Sequence, residues 1–363
     1  MERLEISEEN KLAGDVIHVV LAVYDPKGTY ARHAGVVMAS IFERTRNPVR
    51  VHILHDQTLT EHNRVLLTET AESYGQSVEF HDVMPHMGQL GEDAIKLAQQ
   101  WSIGTLFRLL IVEVLLLDKV IYLDCDVVVN MNIRELWDIA VDNCALAGVL
   151  DRPANKPYRR ISAKAFRFKH IGCDQATYIN AGVLSINLYR IRKKYNLTQE
   201  IVPWFSRHKR YIDTVDQDLI NSYFRGDIKI IDGRFNNGHV FINANFCDDL
   251  NDPRIANSIL HAILSPKPWE ALKGFAMDRL YWRTFLKTPW GRLEPEKIVD
   301  LMIDVAEKSP LTHRRTYQCY KRIFFRWRKD IFLNDIVVIV WFMMQELYDK
   351  IKSSLIQRKI EKI

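Results

Sequence analysis

From Asp15 to Tyr24 the chain reads DVIHVVLAVY, nearly free of polar positions and rich in β-branched side chains. A run of that kind suits a strand buried on both faces of a parallel sheet. After Pro26, Lys27 and Gly28, the stretch TYARHAGVVMASIFERT has helical character. VRVHILHD (49–56) reads as a second strand, followed by a helix over about Thr60 to Tyr74, and SVEFHDV (77–83) as a third, shorter strand. IGTLFRLLIVEVLLL (103–117) has helical length with Arg108 embedded in it, and KVIYLDCDVVV (119–129) reads as one continuous strand. Further strands are expected at CALAGVLD (144–151), YINAGVLSINL (178–188) and IKIID (228–232). Strands alternating with helices predict an α/β fold with a mostly parallel central sheet flanked by helices. After Trp269 the strand signals cease and aromatic and basic residues accumulate. The pattern therefore predicts a main domain over 14–270 and a helical C-terminal appendage over 271–363.

Composition adjusts this picture little. With 363 residues, 47% hydrophobic and 26% charged, the chain has ordinary globular composition. The net charge of +5 is unevenly spread: residues 311–363 hold twelve Lys/Arg against five Asp/Glu. The five cysteines (Cys125, Cys144, Cys173, Cys247 and Cys319) are scattered, with no CxxC pair, and read as reduced thiols of a cytoplasmic protein. The acidic opening MERLEISEEN is not a secretory signal, and no apolar run approaches the roughly 20 residues of a membrane span.

The candidate chemistry begins at IYLDCD (121–126), where Asp124 and Asp126 end an apolar run. On a continuous strand, residues i and i+2 share a face, so the two carboxylates converge and Cys125 packs behind them. Converging carboxylates repel unless a cation lies between them, and ligands in open α/β sheets bind beyond the carboxyl ends of strands. Hard oxygen donors select Mg²⁺ or Mn²⁺. The alternative is structural, with one aspartate capping a turn and the other solvated. Haloacid-dehalogenase phosphatases also place D-x-D after an apolar strand, with the first aspartate as nucleophile. They carry it near the start of their core domain, whereas about 120 residues precede it here, and Asp248-Asp249 lies in a polar loop. In HAILSPKPW (261–269), His261 follows the apolar pair Ile259-Leu260, and Lys267 sits in a turn stiffened by Pro266, Pro268 and Trp269. His261 is a candidate third metal ligand and Lys267 a phosphate partner. In VDQDLIN (215–221), Asp216 fits a helix N-cap, whereas Gln217 is not needed as one.

Taken together, YARHAGVVMAS (30–40), the arginine of TLFRLLIVEVLL, VIYLDCDVVVNMNIRELWD, YINAGVLSINL, DQDLIN with the later RFN (234–236), and H-x5-KPW resemble glycosyltransferase family 8. These are retaining enzymes of the GT-A, Rossmann-like fold that include bacterial lipopolysaccharide galactosyl- and glucosyltransferases. The resemblance covers about 250 residues in the family's order. It implies that Asp124, Asp126 and His261 hold Mn²⁺ (or Mg²⁺) against the diphosphate of a UDP-hexose. It implies nucleotide-sugar contacts from Ala22, Tyr24, Asp25, Tyr30, Arg108, Asp124, Cys125 and Lys267. Asn180, in an N-A-G turn, with Asp151, Asp216 and Gln217, would line the donor sugar, Gln217 lying beneath the anomeric carbon. Three departures are visible: Tyr24-Asp25 followed by PKG where the family has an acidic pair before a tyrosine, Leu106 where a tyrosine is common, and Leu264 where the family's H-x-x-G has glycine. A glycogenin-like self-glucosylating primer and an inactive sugar-nucleotide-binding partner are the competing readings within the resemblance.

The tail RRTYQCYKRIFFRWRK (314–329) interleaves cationic and aromatic residues, and IVVIVWFMM (336–344) follows. Basic heads with an apolar face predict an interfacial anchor on an anionic membrane; a core-packing helix or dimer contact is the alternative, and nucleic acid is not the expected partner. The family resemblance, in which members with basic aromatic tails act on lipid-linked acceptors, implies a glycan or glycolipid acceptor at the inner face of the cell membrane.

Overall fold

The computed structural model describes residues 16–100, 102–151, 163–238 and, with short breaks, 250–303. Its strands are β1 (Ile17–Val23), β2 (Val49–His55), β3 (Ser77–Asp82), β4 (Lys119–Leu123), β5 (Val127–Asn130), β6 (Leu146–Leu150), β7 (Ile179–Asn187), β8 (Ile228–Ile230) and β9 (Ser258–His261). Helices of eight residues or more are α1 (Ala31–Phe42), α2 (Glu61–Glu72), α3 (Gly91–Ala98), α4 (Ala163–Ile171), α5 (Leu197–His208), α6 (Val215–Tyr223) and α7 (Ala276–Phe285). Seven strands form the main sheet in the order β3-β2-β1-β4-β7-β6-β8, and β5 and β9 make a separate two-stranded sheet. In the main sheet only β7 runs antiparallel to its neighbours β4 and β6. The expected mostly parallel α/β sheet is the observed one.

The alternation along β1 explains the two cores. Ile17, Val19, Leu21 and Val23 face α1, α2 and α7, while Val20 and Ala22 face the layer of α3 to α6. Every residue of α1 is buried. Gly35 lets it lie that deep: a Cβ there would stand 2.4 Å from Trp290 Cζ3. The α1 N-terminus is held by Asp25, whose carboxylate accepts from the backbone N–H of Tyr30 (2.6 Å) and Ala31 (3.2 Å) and from Asn63 Nδ2 (2.9 Å). Ala276, Met277, Tyr281, Phe285 and Trp290, beyond the expected boundary at 270, belong to the same core as β1 and α1. The aromatic residues that made this stretch resemble an appendage are aromatic because they pack.

Three local expectations are overturned. KVIYLDCDVVV is two strands: the chain leaves the main sheet after Leu123, turns through Asp124 to Asp126, and enters the small sheet at Val127. Asn180, Ala181 and Gly182 lie inside β7, not in a turn. There the β6–β7 register jumps, from Gly148 opposite Leu184 to Leu150 opposite Ile179, so the three residues sit in a bulge. Residues 103–110 form a 3-10 helix, and only Ile111–Val114 continues as α-helix. Leu264, Asp248-Asp249 and the tail from 304 onward lie outside the described residues.

Candidate active site

The turn between β4 and β5 carries the two aspartates, and each is tied to a different sheet. Asp124 N–H donates to Gly182 O (2.8 Å), which prolongs the β4–β7 ladder. Asp126 O accepts from Ala262 N–H (2.9 Å) beside β9, and Val127 stands opposite His261 in the β5–β9 register. The aspartates therefore converge through a turn between sheets, not through strand periodicity. Ligand atoms of Asp124, Asp126 and His261 all lie within 4.8 Å of one another. Cys125 turns away as expected: its thiol is buried, donates to Ala22 O (3.3 Å), and is pushed well up by burial and by the flanking Asp124 and Asp126.

Each ligand is oriented from behind. Asp124 Oδ1 accepts from Arg108 Nη2 (2.7 Å) and the Tyr122 hydroxyl (2.9 Å), leaving Oδ2 toward His261 Nε2 at 3.9 Å. His261 Nδ1 meets Asn236 Oδ1 at 2.8 Å, and Asn236 Nδ2 donates to Asn180 Oδ1 at 2.8 Å. That second bond fixes the Asn236 amide with its oxygen toward the imidazole, so Nδ1 carries the proton and Nε2 offers a lone pair to the carboxylates. Asp126 Oδ1 lies 3.0 Å from that Nε2, yet it is buried without a hydrogen-bond donor among the described residues. Two carboxylates, an imidazole lone pair and an orphaned buried oxygen fit a divalent cation such as Mn²⁺ or Mg²⁺. Lys267 Nζ supplies the compensating charge in this structure, 2.8 Å from Asp126 Oδ2. Burial opposes ionisation of Asp126, but His261, when its ring is protonated, and Lys267 outweigh it and hold the carboxyl well below its ordinary range. Gly182 completes the cradle: a Cβ there would fall 2.3 Å from His261 Cε1 and 2.7 Å from Asp124 Oδ2.

The second layer departs from its expected roles. Arg108 is committed within the protein: Nη1 donates to Ala181 O (2.6 Å), Nη2 holds Asp124, and Nε lies 2.8 Å from Asp216 Oδ2. It also sits 4.5 Å over the Tyr122 ring. Burial works against its charge, but Asp124 and Asp216 win and raise its pKa. In this structure its guanidinium orients Asp124. Asp216 is not the N-cap of α6: Thr214 occupies that place, and Asp218 Oδ2 accepts from the N–H groups of Asp213 and Thr214. Gln217 is buried, with Oε1 accepting from Ala181 N–H (3.0 Å) and Nε2 donating to the Tyr178 hydroxyl (3.2 Å) and Asp151 Oδ1 (3.3 Å). Asn180 Nδ2 reaches the same Asp151 oxygen at 3.4 Å.

The loop after β1 is similarly divided. Asp25 is only 1% exposed and spent on α1, so its side chain is not presented to a ligand. Ala22 and Tyr24 stand at the β1 end beside the aspartates, Tyr24 with its ring edge-on to Phe107 at 6.4 Å. Tyr30 lies near the site: burial first, then Cys125, Asp126 and Asp124, raise its phenol well above the usual value. Among the described residues the structure thus gathers Asp124, Asp126, His261, Lys267, Arg108, Asp216, Asn180, Gln217, Asp151 and Tyr30 around one locus. Tyr122, Tyr178, Gly182 and Asn236 were missed. A glycine inside the expected strand was a visible signal for Gly182, and Asn236 lies in RFN (234–236), a stretch that carried the resemblance without a role for its asparagine.

The model of glycosyl transferase family 8 matches residues 22–273. A Haemophilus influenzae protein is 28% identical over 208 residues, which is 57% of this chain but only 60% of that protein's length. A lipopolysaccharide 1,2-glucosyltransferase of Escherichia coli is 24% identical over 288 residues, covering 74% of this chain and 79% of that one. The crystal structure of the galactosyltransferase LgtC with donor and acceptor sugar analogues superimposes with a TM-score of 0.61 at 25% identity, covering 75% of this chain and 96% of that one. The fold is therefore GT-A-like.

Proposed function

Because this chain belongs to glycosyltransferase family 8, we propose that it moves a hexose, galactose or glucose, from a UDP-sugar to a cell-surface glycan or glycolipid acceptor, giving an α-linked product. The glucosyl- and galactosyltransferase relatives support that substrate class. The observation that carries the reading is the convergence of Asp124, Asp126 and a correctly tautomerised His261 around an orphaned oxygen. These three residues would hold Mn²⁺ or Mg²⁺, which when bound supplies charge neutralisation for the diphosphate of the donor.

The chain's own residues account for the rest. Lys267, whose ammonium also donates to Ala262 O and Ile263 O, would exchange Asp126 for a phosphate oxygen once another cation satisfies that carboxylate. Arg108 keeps Asp124 aimed, and with Gln217 it holds the backbone of Ala181 at both its N–H and its C=O. In the transfer, the bond from the anomeric carbon to the UDP oxygen breaks, the acceptor oxygen bonds to that carbon from the same side, and its proton passes to the departing diphosphate. A retaining glycosidase sets a carboxylate nucleophile against the anomeric carbon. Here the matching position is the amide Gln217, whose oxygen is already occupied. That favours same-side attack over a covalent intermediate.

Asp126→Asn should abolish metal-dependent hydrolysis or transfer across a screen of UDP-sugars, while circular dichroism stays native. Activity undiminished by the substitution, or by EDTA, overturns the metal assignment. The anomeric proton coupling of the product should report an α-linkage; a β-linkage would contradict retention.

A further inference from the structure

The face of the sheet turned toward α3 is apolar under the helices, but toward the β3 edge it becomes polar. His18, Arg50, His52, Glu79 and His81 all point there, because Val49, Val51 and Ile53 of β2, and Val78 and Phe80 of β3, occupy the opposite face. His52 stands directly opposite Glu79 in the β2–β3 register, and His81 is two residues beyond Glu79 on the same side. Imidazole nitrogens and a carboxylate oxygen meet: His52 Nδ1 is 3.1 Å from His81 Nε2 and 3.4 Å from Glu79 Oε2, and His81 Nε2 is 3.7 Å from that oxygen. We propose that His52, Glu79 and His81 form a second metal site, of the zinc class, that fastens the edge strand β3 to β2.

The three separations, 3.1, 3.4 and 3.7 Å, bracket the spacing a tetrahedral ion requires. Bonds of about 2.0–2.1 Å place neighbouring ligand atoms roughly 3.3–3.4 Å apart, leaving a fourth vertex for water. Glu79 is 43% and His81 22% exposed, so that vertex has a path to solvent. The outer atoms of two ligands are already engaged. His52 Nε2 lies 2.9 Å from His18 Nδ1, an acceptor for its N–H, which leaves the His52 Nδ1 lone pair toward the cluster. Glu79 Oε1 pairs with Arg50 Nη1 at 3.1 Å, which leaves Oε2 for the ion. Burial, with His18, His81 and Arg50 adding, pushes His52 down to about 3, and burial lowers His81 as well.

Two nitrogens and one oxygen on a half-open face select a borderline ion such as Zn²⁺ over Mg²⁺ or Mn²⁺. The cluster lies two to three strand spacings from β4, roughly 10–14 Å across the sheet, and shares no residue with the aspartate turn. It is therefore separable from the transferase site and does not depend on that assignment. The competing account is a metal-free chain of hydrogen-bonded imidazoles, His18–His52–His81.

Full-length protein stripped with chelator and dialysed against Zn²⁺ separates the two. His81→Ala should bind one zinc fewer per chain than wild type, and Glu79→Ala should bind that ion roughly 10-fold or more weakly. In an Asp126→Asn background, where the other site is disabled, Zn²⁺ should still raise the melting temperature, and adding His81→Ala should remove the rise. Co²⁺ in the same background should give the intense visible bands of a tetrahedral site. His81 is partly exposed, so its replacement should leave the metal-free melting curve near wild type. Equal zinc content with and without His81, or no zinc in the Asp126→Asn protein, would mean that the cluster is an imidazole chain only.

Discussion

Gly182 shows how one missing atom shapes the site. His261 and Asp124 approach its Cα so closely that a methyl group would displace both, and both are held from behind by Asn236 and Arg108. Gly182→Ala should lower Mn²⁺ affinity by roughly 10- to 100-fold, read from the metal titration of turnover or from electron paramagnetic resonance. An unchanged titration would show that the cradle tolerates a Cβ. Asp25 is the opposite case, a residue placed by resemblance on the ligand and by structure on the protein. Asp25→Ala would strand the N–H groups of Tyr30 and Ala31 and the Asn63 amide, costing about 3 kcal/mol in denaturant unfolding. The aspartates, His261 and Lys267 were legible because their residue types carry chemistry in any context. Tyr122 and the role of Asn236 were not, since both act by orienting another side chain, and for Asn236 that partner lies 25 residues away.

Among the elements, β1 to β3 and α1 and α2 lie close to where periodicity put them, because continuous apolar runs bounded by turn residues leave few alternatives. The reading of KVIYLDCDVVV as one strand failed for a definite reason: both halves are β-branched and buried, and hydrophobicity is blind to which sheet a strand joins. The far edge of the main sheet offers a test by acid. Asp227 O accepts from Ala145 N–H next to β6, and its carboxylate takes Arg190 (2.9 and 3.0 Å), Lys194 (3.0 Å) and Tyr195 (2.6 Å). Burial favours the neutral acid, but these donors prevail and lower its pKa to about 2. The folded value lies below the unfolded one, so the stabilisation is complete above about pH 4 and is lost as pH falls from there toward the folded value. The gap in unfolding free energy between wild type and Asp227→Asn should accordingly close over that window and stay constant above it. A gap independent of pH would show that packing, not charge, dominates at this edge.

For the molecule as a whole, no helix among the described residues is long and apolar enough to cross a membrane. Attachment to a surface is therefore a proposal about the basic tail. Each cationic residue near an anionic bilayer contributes about 1 kcal/mol, screened by salt. Full-length protein should sediment with anionic vesicles at low salt and be released as NaCl rises, while a chain lacking 312–363 should stay in solution and still act on a soluble acceptor. Full-length protein that ignores such vesicles ends the anchoring idea, and a truncated chain that aggregates assigns the tail to core packing. Finally, the aspartate turn is also a seam. Asp126 and His261 are anchored to the small β5–β9 sheet, whereas Asp124 is anchored to Arg108 and the main sheet. A cation held by all three residues would therefore bridge the two sheets and tie one to the other. Amide hydrogen exchange should then slow across Val127–Asn130 and Ser258–His261 when Mn²⁺ and UDP are added together, with β1 and β2 unaffected.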